Sequence, residues 1–185
     1  MAVLNTFLDA LGDTPLVRLH SVTRGLEPAV LAKLEMLNPG GSVKDRIGIR
    51  MIEDAEQRGL LRPGGTIVEP SSGNTGHGLA IAAAIRGYRC IFVMPDKMSA
   101  EKIALLRAYG AEVVITPTAV ARDSPESYYS VADKLASEIP GAFQPNQYFN
   151  QDNPAAHYET IADGIRRTAD RVRSPERQGD SDPAR

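Results

Sequence analysis

Short β-rich runs alternate with longer helical stretches along the sequence, and this alternation constrains the fold more than any other feature. Runs rich in valine and isoleucine occur at 66–70, 88–95 and 111–117, and a segment with helical patterning follows each of them. Parallel strands need a crossover of about a dozen residues or more, usually a helix. Three strand-to-helix units in series therefore predict an α/β fold with a largely parallel sheet.

Four segments have the apolar spacing of helices, and punctuating residues mark several of their ends. Gly59 and Gly110 stand where helix C-terminal caps are expected. In the last segment Ser124 is the predicted N-cap, Pro125 takes the first helical position, and Pro140 follows the end. The predicted helices cover 42–58, 77–87, 99–110 and the segment between Ser124 and Pro140.

Charge, cysteine content and hydropathy exclude several classes of protein. A formal net charge of −2 gives no basis for binding nucleic acid, and no apolar run reaches the length of about 20 residues that spans a membrane. Cys90 is the only cysteine, which excludes a disulfide framework and favours a reducing compartment. The spacing of His20, His77 and His157 does not suit metal ligation, so no metal site is predicted. Since the N-terminal segment also lacks the basic region of a secretory signal, we predict a cytoplasmic protein.

The first segment whose residues suggest a catalytic role is "NPGGSVKDR", which places Lys44 in the first turn of a predicted helix. A helix N-terminus carries partial positive charge and therefore disfavours an ammonium ion. In a partly desolvated cleft this effect favours the neutral amine, the nucleophilic form that condenses with aldehydes. Most lysines at helix starts are solvated surface residues, so the position of Lys44 alone leaves both interpretations open.

The second segment, "PSSGNTG", lies between a strand and a predicted buried helix, where backbone N–H groups point at an anion. Its glycine spacing fits neither a dinucleotide fingerprint nor a Walker loop. From the residues alone it is an anion-binding loop, of a nucleotide-binding module for example, or a tight turn with capping residues. The occurrence of both segments in one α/β frame, about 30 residues apart, favours a catalytic role for Lys44.

The sequence resembles the fold-type II pyridoxal-phosphate enzymes, and among them the cystathionine β-synthase and cysteine synthase family. The resemblance rests on "LGDTPLVRL", "NPGGSVKDR", "PGGTIVEPSSGNTG" and "GAEVV", in this order, and runs from about Leu11 to Thr160. Dehydratases and racemases of the same fold carry phenylalanine and histidine where this chain has Val43 and Thr75. The resemblance implies a three-layer, parallel-sheet domain of the tryptophan synthase β-subunit-like fold, with an incomplete second domain.

The resemblance implies pyridoxal 5′-phosphate as cofactor and a role for each residue of the two segments. Lys44 would form the Schiff base with the cofactor and would later remove the α-proton of the substrate. Asn74 would donate a hydrogen bond to the 3′-oxygen of the pyridine ring. The substrate carboxylate and the cofactor face would be bound by Ser71, Ser72, Gly73, Thr75, Gln147 and the adjacent Tyr148.

The implied reaction is β-replacement on a serine-type amino acid by a thiol or sulfide. Segments 87–114 and 124–160 are more similar to cystathionine β-synthases, which join serine and homocysteine, than to cysteine synthases. Cysteine synthase, which joins O-acetylserine and sulfide, remains the alternative. His157 is predicted to be structural rather than a catalytic base, and the full-length family implies a homodimer.

The resemblance also divides the chain into four parts. Residues 1–41 are predicted to be opening strands of the large cofactor domain, with strands at 15–19 and 29–35. Residues 42–147 are predicted to form a small α/β domain that carries Lys44 and the serine-rich segment. Residues 148–160 are predicted to cross back to the large domain. The divergent segment 161–185 is predicted to be disordered after a short frayed helix.

After Thr160 the sequence is expected to depart from the threonine-threonine continuation of the family, and the glycine-threonine loop that grips the cofactor phosphate is not found. The hypothesis is that a frameshift, an altered splice or a gene-prediction error replaced the native sequence. We therefore expect weak cofactor retention and little or no β-replacement activity. A catalytically incompetent fragment that binds full-length subunits is the remaining alternative.

Overall fold

The computed structural model describes residues 3–71 and 73–173. Within these residues, five strands form two sheets: an antiparallel pair and a parallel sheet whose order follows the chain, β3–β4–β5. In the parallel sheet, Val68 pairs with Ile91, and Phe92 pairs with Val113. The predicted α/β fold with parallel strands is confirmed. The strands are β1 (Leu16–Arg18), β2 (Leu31–Lys33), β3 (Thr66–Glu69), β4 (Arg89–Pro95) and β5 (Glu112–Thr116).

The four predicted helices are present, and a further helical segment follows them. The helix predicted at 77–87 begins earlier, at Asn74, because the polar segment before it is already wound into the first helical turn. Each parallel strand is followed by one helix, as the crossover rule requires. The helices are α1 (Lys44–Gln57), α2 (Asn74–Arg86), α3 (Ala100–Ala108), α4 (Tyr128–Glu138), α5 (Asp152–His157) and α6 (Asp163–Arg173), with a π-helical turn at Tyr158–Ala162.

The parallel sheet is buried on both faces, which explains why β4 is apolar at nearly every position. Phe92 and Met94 pack in a cluster with α1 and α2. The alternate residues Ile91 and Val93 pack in a second cluster with Ala132 of α4. Successive side chains of a strand point to opposite faces, so the sheet separates two helical layers. The predicted three-layer arrangement is confirmed.

The N-cap prediction for α4 is wrong. The helix begins at Tyr128, and the Ser127 hydroxyl accepts a hydrogen bond from the Ser130 backbone N–H at 3.1 Å. The hydroxyl of Ser124 instead accepts from the Glu126 backbone N–H at 3.3 Å. A serine side chain bonded to the backbone two residues ahead stabilises a local turn that competes with a helical start.

The segment after Thr160 begins as a helix. Residues 158–162 form the π-helical turn, and α6 continues to Arg173, which agrees with the short helix predicted at the start of the divergent segment. Arginine and alanine are strong helix formers, and Arg166 pairs with Asp163 at 3.2 Å on the same helix face. Residues 174–185, the rest of the predicted tail, lie outside the described residues. Among residues 3–71 and 73–173, every helix is too short or too polar to cross a lipid bilayer.

Candidate active site

Lys44 is the first residue of α1, and its side chain is half-buried. The Lys44 backbone N–H donates to the Ser42 hydroxyl at 3.1 Å. The Asn38 side-chain amide donates to the Ser42 carbonyl, also at 3.1 Å. These bonds fix the turn that precedes the helix, and the prediction that Lys44 lies in the first helical turn is confirmed.

Asp45 ties the glycine turn to the helix. The Gly40 backbone N–H donates to Oδ2 of Asp45 at 2.6 Å, and a Cβ on Gly40 would lie 2.5 Å from Oδ1. Asp45 is 2% exposed, and its Oδ1 finds no hydrogen-bond partner among the described residues. Burial raises the pKa of Asp45, although hydrogen bonds from the Gly40 and Ser42 backbone oppose this effect.

Arg46 fastens α1 to the segment that carries the opening strands. Its Nε and Nη2 donate to the two carboxylate oxygens of Glu35 at 2.7 and 2.8 Å, and Nη2 also donates to the Gly12 carbonyl at 2.7 Å. Burial would raise the pKa of Glu35, but hydrogen bonds from Arg46, Thr14 and Asn38 outweigh it and lower the pKa to about 2. A bidentate, buried pair of this kind fixes orientation as well as distance.

The serine-rich segment leads into α2, whose first residue is Asn74. The Asn74 side chain is exposed, whereas Ser71 and Thr75 are buried. Gly73 is the extended N-cap residue, and within the described part of the chain no side chain caps this N-terminus. Ser72, predicted to bind substrate, lies outside the described residues. The first backbone N–H groups of α2 are therefore available to an anion.

A close crossing of α1 and α2 brings the two predicted segments together. A Cβ on Gly48 would lie 2.6 Å from the Gly78 carbonyl carbon. A Cβ on Gly78 would lie 2.9 Å from both the Lys44 carbonyl oxygen and the Asp45 Cα. Asn74 precedes Gly78 by one helical turn, so the starts of both helices meet at this contact.

Gln147 joins this site from a distant part of the chain. The Thr75 hydroxyl donates to the Gln147 side-chain carbonyl at 2.6 Å, and the Asn153 side-chain amide donates to the Gln147 backbone carbonyl at 2.9 Å. The structure therefore places two residues of the predicted carboxylate site in direct contact. Tyr148 is 68% exposed and lines a neighbouring cavity of about 410 Å³.

Glu69 is a residue of this site that sequence reasoning missed. It is the last residue of β3, is 1% exposed, and its carboxylate accepts backbone N–H bonds from Asn146 at 2.9 Å and Gln147 at 3.3 Å. Burial raises the pKa of Glu69 to about 7, against the opposing effect of these two bonds. The available signal was a carboxylate inside an otherwise apolar strand, directly before the serine-rich segment.

His157 lies at the end of α5, which packs against α1. Burial lowers the pKa of His157, and the charges of Lys44 and Arg46 lower it further. Its Nδ1 is buried without a hydrogen-bond partner among residues 3–71 and 73–173. The sequence did not predict that this ring stands within electrostatic reach of Lys44.

Comparison with known proteins identifies the family. The match to the family described as "Pyridoxal-phosphate dependent enzyme" covers residues 7–177. The chain belongs to this pyridoxal-phosphate dependent family. The family match extends beyond Thr160 to residue 177, and the divergence after Thr160 stays a prediction.

Several members of the family are similar to this chain. Cystathionine β-synthase of Oryctolagus cuniculus is 56% identical over 91% of this chain and 31% of its own length. A probable cysteine synthase of Bacillus subtilis is 50% identical over 94% of this chain and 54% of its own length. The structure of a hydrogen sulfide-producing enzyme of Fusobacterium nucleatum has a TM-score of 0.85 and 40% identity, covering 92% of this chain and 54% of that one. The chain thus spans about a third of the cystathionine β-synthase.

The donor set of the site fits pyridoxal phosphate, the cofactor of the family. Lys44 supplies a half-buried primary amine that suits an aldehyde. Asn74 supplies an exposed amide at a helix start, suited to an oxygen substituent of the pyridine ring. The uncapped N–H groups of α2 suit a carboxylate, and so does the side-chain NH₂ of Gln147, whose carbonyl accepts from Thr75.

Proposed function

We propose that this chain carries the lysine-bearing part of an enzyme that performs β-replacement on serine-type amino acids in sulfur amino-acid metabolism. The activity is most like that of cystathionine β-synthase, which joins serine and homocysteine to form cystathionine. The close approach of Gly78 to the Lys44 backbone supports the proposal, because the first turn of α1 then lies against α2, the helix that begins at the predicted carboxylate loop. The substrates are therefore an amino acid and a thiol or sulfide.

Lys44 has two tasks in this proposal. Its Nζ would hold the cofactor through the aldehyde group, and as a free amine it would accept the α-proton of the substrate. Bound pyridoxal phosphate supplies an electron sink for the negative charge that develops at the α-carbon. Asn74 would hold the cofactor by donating a hydrogen bond from its side-chain amide to the 3′-oxygen on the pyridine ring.

The start of α2 orients the substrate carboxylate. In the proposal, the backbone N–H groups of Gly73 and Thr75 and the hydroxyl of Ser71 bind this carboxylate, and Ser72 belongs to the same proposed set. The Gln147 carboxamide, held by Thr75 at 2.6 Å, completes the proposed set. Tyr148 bounds it on the side of the neighbouring cavity.

Two alternatives concern the same site. Cysteine synthase activity, with O-acetylserine and sulfide, is supported by the similarity to the probable cysteine synthase of Bacillus subtilis. A catalytically incompetent fragment of either enzyme is supported by the short share of the cystathionine β-synthase that the chain covers. In the proposal the protein is cytoplasmic and binds neither nucleic acid nor a membrane. The full-length family implies a homodimer.

Trapping the cofactor on the chain tests the proposal. The purified chain is incubated with pyridoxal phosphate, its visible absorbance is scanned, and the mixture is reduced with borohydride before peptide mapping. We expect the reduced cofactor on Lys44, and we expect Lys44→Ala to lose both the absorbance band and the label. Lys134→Ala, an exposed lysine on α4, is the matched control and should keep both. Labelling of a different lysine, or none at Lys44, contradicts the proposal.

A further inference from the structure

Glu69 is buried between two parts of the candidate site. Its backbone leads directly into the serine-rich segment. Its side chain contacts Asn146 and Gln147, which lie 77 and 78 positions further along the chain. One carboxylate oxygen accepts the N–H of Asn146 at 2.9 Å, and the other accepts the N–H of Gln147 at 3.3 Å. A carboxylate that is 1% exposed thus has two neighbouring backbone groups as its partners.

The turn that Glu69 holds is strained. Asn146 has a φ of +49°, in the left-handed region that costs free energy for a residue with a side chain. Successive backbone N–H groups that converge on one point form an anion-binding concavity. Here the anion is the chain's own carboxylate, which compensates for the strain of the turn.

The consequence of this turn is the position of the Gln147 side chain. Gln147 follows the left-handed residue directly, and its carboxamide accepts the Thr75 hydroxyl at 2.6 Å. A relaxed turn at Asn146 would move the Gln147 backbone away from Glu69 and redirect its side chain. The contact between Gln147 and Thr75 therefore depends on the Glu69 carboxylate, although Glu69 bonds to the backbone and not to either of these two side chains.

We propose that Glu69 is a positioning residue for the substrate-carboxylate site: in its ionised form it holds the Asn146 turn so that the Gln147 carboxamide meets Thr75. The identity of the ligand rests on the proposed function, whereas the positioning of the loop does not. An ionised acceptor makes stronger hydrogen bonds than a neutral one. The Asn146 turn is therefore expected to become more rigid as Glu69 loses its proton.

The surroundings of Glu69 place its ionisation near neutral pH. Burial raises its pKa to about 7, and the two backbone bonds oppose that rise. On β4, Cys90 has a pKa raised above its ordinary value by burial and then by the charge of Glu69. Among the described residues, the titratable or charged side chains that line the same cavity as Glu69 are Arg122, Asp123, Tyr129, Asp133 and Tyr148.

Amide resonances of the loop test the proposal directly. In the ¹⁵N-labelled chain, the Asn146 and Gln147 amide shifts are followed from about pH 5 to about pH 9, a range that brackets the pKa of Glu69. We expect both amides to titrate with one common midpoint near 7. Glu69→Gln should abolish that titration. Asp123→Asn, a cavity-lining control, should keep it.

A second measurement separates this inference from the proposed function. Binding of L-serine to the chain pre-incubated with pyridoxal phosphate is compared for the wild type and Glu69→Gln, and we expect binding to weaken by about tenfold, as for a lost charged hydrogen-bond partner. If the wild type does not bind serine, the proposed function fails, and the amide titration alone decides the role of Glu69. If serine binding is unchanged in Glu69→Gln, or if the two amides do not titrate together in the wild type, the inference is overturned. Because the wild-type titration needs no variant, poor folding of Glu69→Gln does not remove the test.

Discussion

The Thr75 hydroxyl donates a hydrogen bond of 2.6 Å to the Gln147 side-chain carbonyl, across 72 residues of chain. Thr75 is 4% exposed, so the bond is largely shielded from water. It links the first turn of α2 to the loop between α4 and α5. The predicted carboxylate site is therefore assembled by a direct side-chain contact and not only by proximity.

Thr75→Val should remove this donor while keeping the shape of the side chain. We expect a loss of about 1 kcal/mol in the free energy of unfolding, because Gln147 loses a buried partner. A double-mutant cycle with Gln147→Ala should give a coupling energy of about 1 kcal/mol, measured by urea unfolding. Thr116→Val is the matched control, since the Thr116 hydroxyl makes a longer bond of 3.5 Å to the Met94 carbonyl. Equal effects of the two threonine variants would contradict the prediction.

Glu35 should make the protein sensitive to acid. Hydrogen bonds from Arg46, Thr14 and Asn38 outweigh burial and hold the pKa of Glu35 at about 2, below its ordinary 4.5. Because the pKa is lower in the folded than in the unfolded state, ionised Glu35 stabilises the folded state above pH 4.5. This contribution is lost as the pH falls towards 2. The pKa difference corresponds to roughly 3 kcal/mol.

Urea unfolding at a series of acidic pH values measures this contribution. Glu35→Gln should flatten the pH dependence below 4.5 and should also destabilise the protein at neutral pH, because it leaves Arg46 buried without its anion. The control is Glu112→Gln, which breaks an exposed pair with Arg89 and should change stability by less than about 1 kcal/mol. If the free energy of unfolding falls equally at acidic pH in the wild type and in Glu35→Gln, the lowered pKa of Glu35 is contradicted.

Glu69 should give the opposite pH dependence to Glu35. Burial raises its pKa from 4.5 to about 7, so the folded state keeps a proton that the unfolded state releases. The free energy of unfolding is therefore expected to fall by roughly 3 kcal/mol from this group as pH rises through that interval. The turn at Asn146 becomes better ordered over the same interval, since the ionised carboxylate is the stronger acceptor.

Chemical unfolding from weakly acidic to weakly alkaline pH checks the sign. Glu69→Gln should remove most of the downward slope, whereas Asp123→Asn should leave it in place. Burial also raises the pKa of Asp45, which gives a slope of the same sign that begins at the ordinary value of 3.8. Stability that rises through this interval in the wild type would be incompatible with a buried Glu69 of raised pKa.

The fold was largely predictable from sequence because it depends on periodic apolar patterns. The run at 88–95 is apolar at successive positions, and it became β4, buried on both faces. The N-cap of α4 was not predictable in the same way, because Ser124 and Ser127 are both suitable caps. Only the three-dimensional turn shows that Ser124 bonds to the Glu126 backbone instead.

Parts of the candidate site could not be read from the sequence, for a different reason. Glu69 acts on the backbone N–H groups of Asn146 and Gln147, and backbone donors have no residue signature. The position of Lys44 at the start of α1 was predictable from the preceding glycine turn. The close crossing of α1 and α2 was not predictable, because in the sequence Gly48 and Gly78 look like ordinary helix-weakening glycines. Their role is visible only once the two helices are packed together.

Gly78→Ala should separate the two halves of the site. A Cβ at this position would lie 2.9 Å from the Lys44 carbonyl oxygen and the Asp45 Cα, and backbone atoms cannot rotate away as a side chain can. We expect a loss of about 1–3 kcal/mol in the free energy of unfolding, as for overpacking of a core. At temperatures where the variant is still folded, borohydride trapping of pyridoxal phosphate on Lys44 should also decrease, since α1 is displaced from α2.

The control for Gly78→Ala is Gly164→Ala on α6, where an added Cβ meets no atom of the described residues within 4 Å. Alanine is the better helix former, so this variant should be more stable than the wild type by up to about 1 kcal/mol. Its labelling of Lys44 should be unchanged. Comparing the two variants thus separates the effect of packing from that of helix propensity. If both variants gain stability, the close crossing of α1 and α2 does not constrain the position of Lys44.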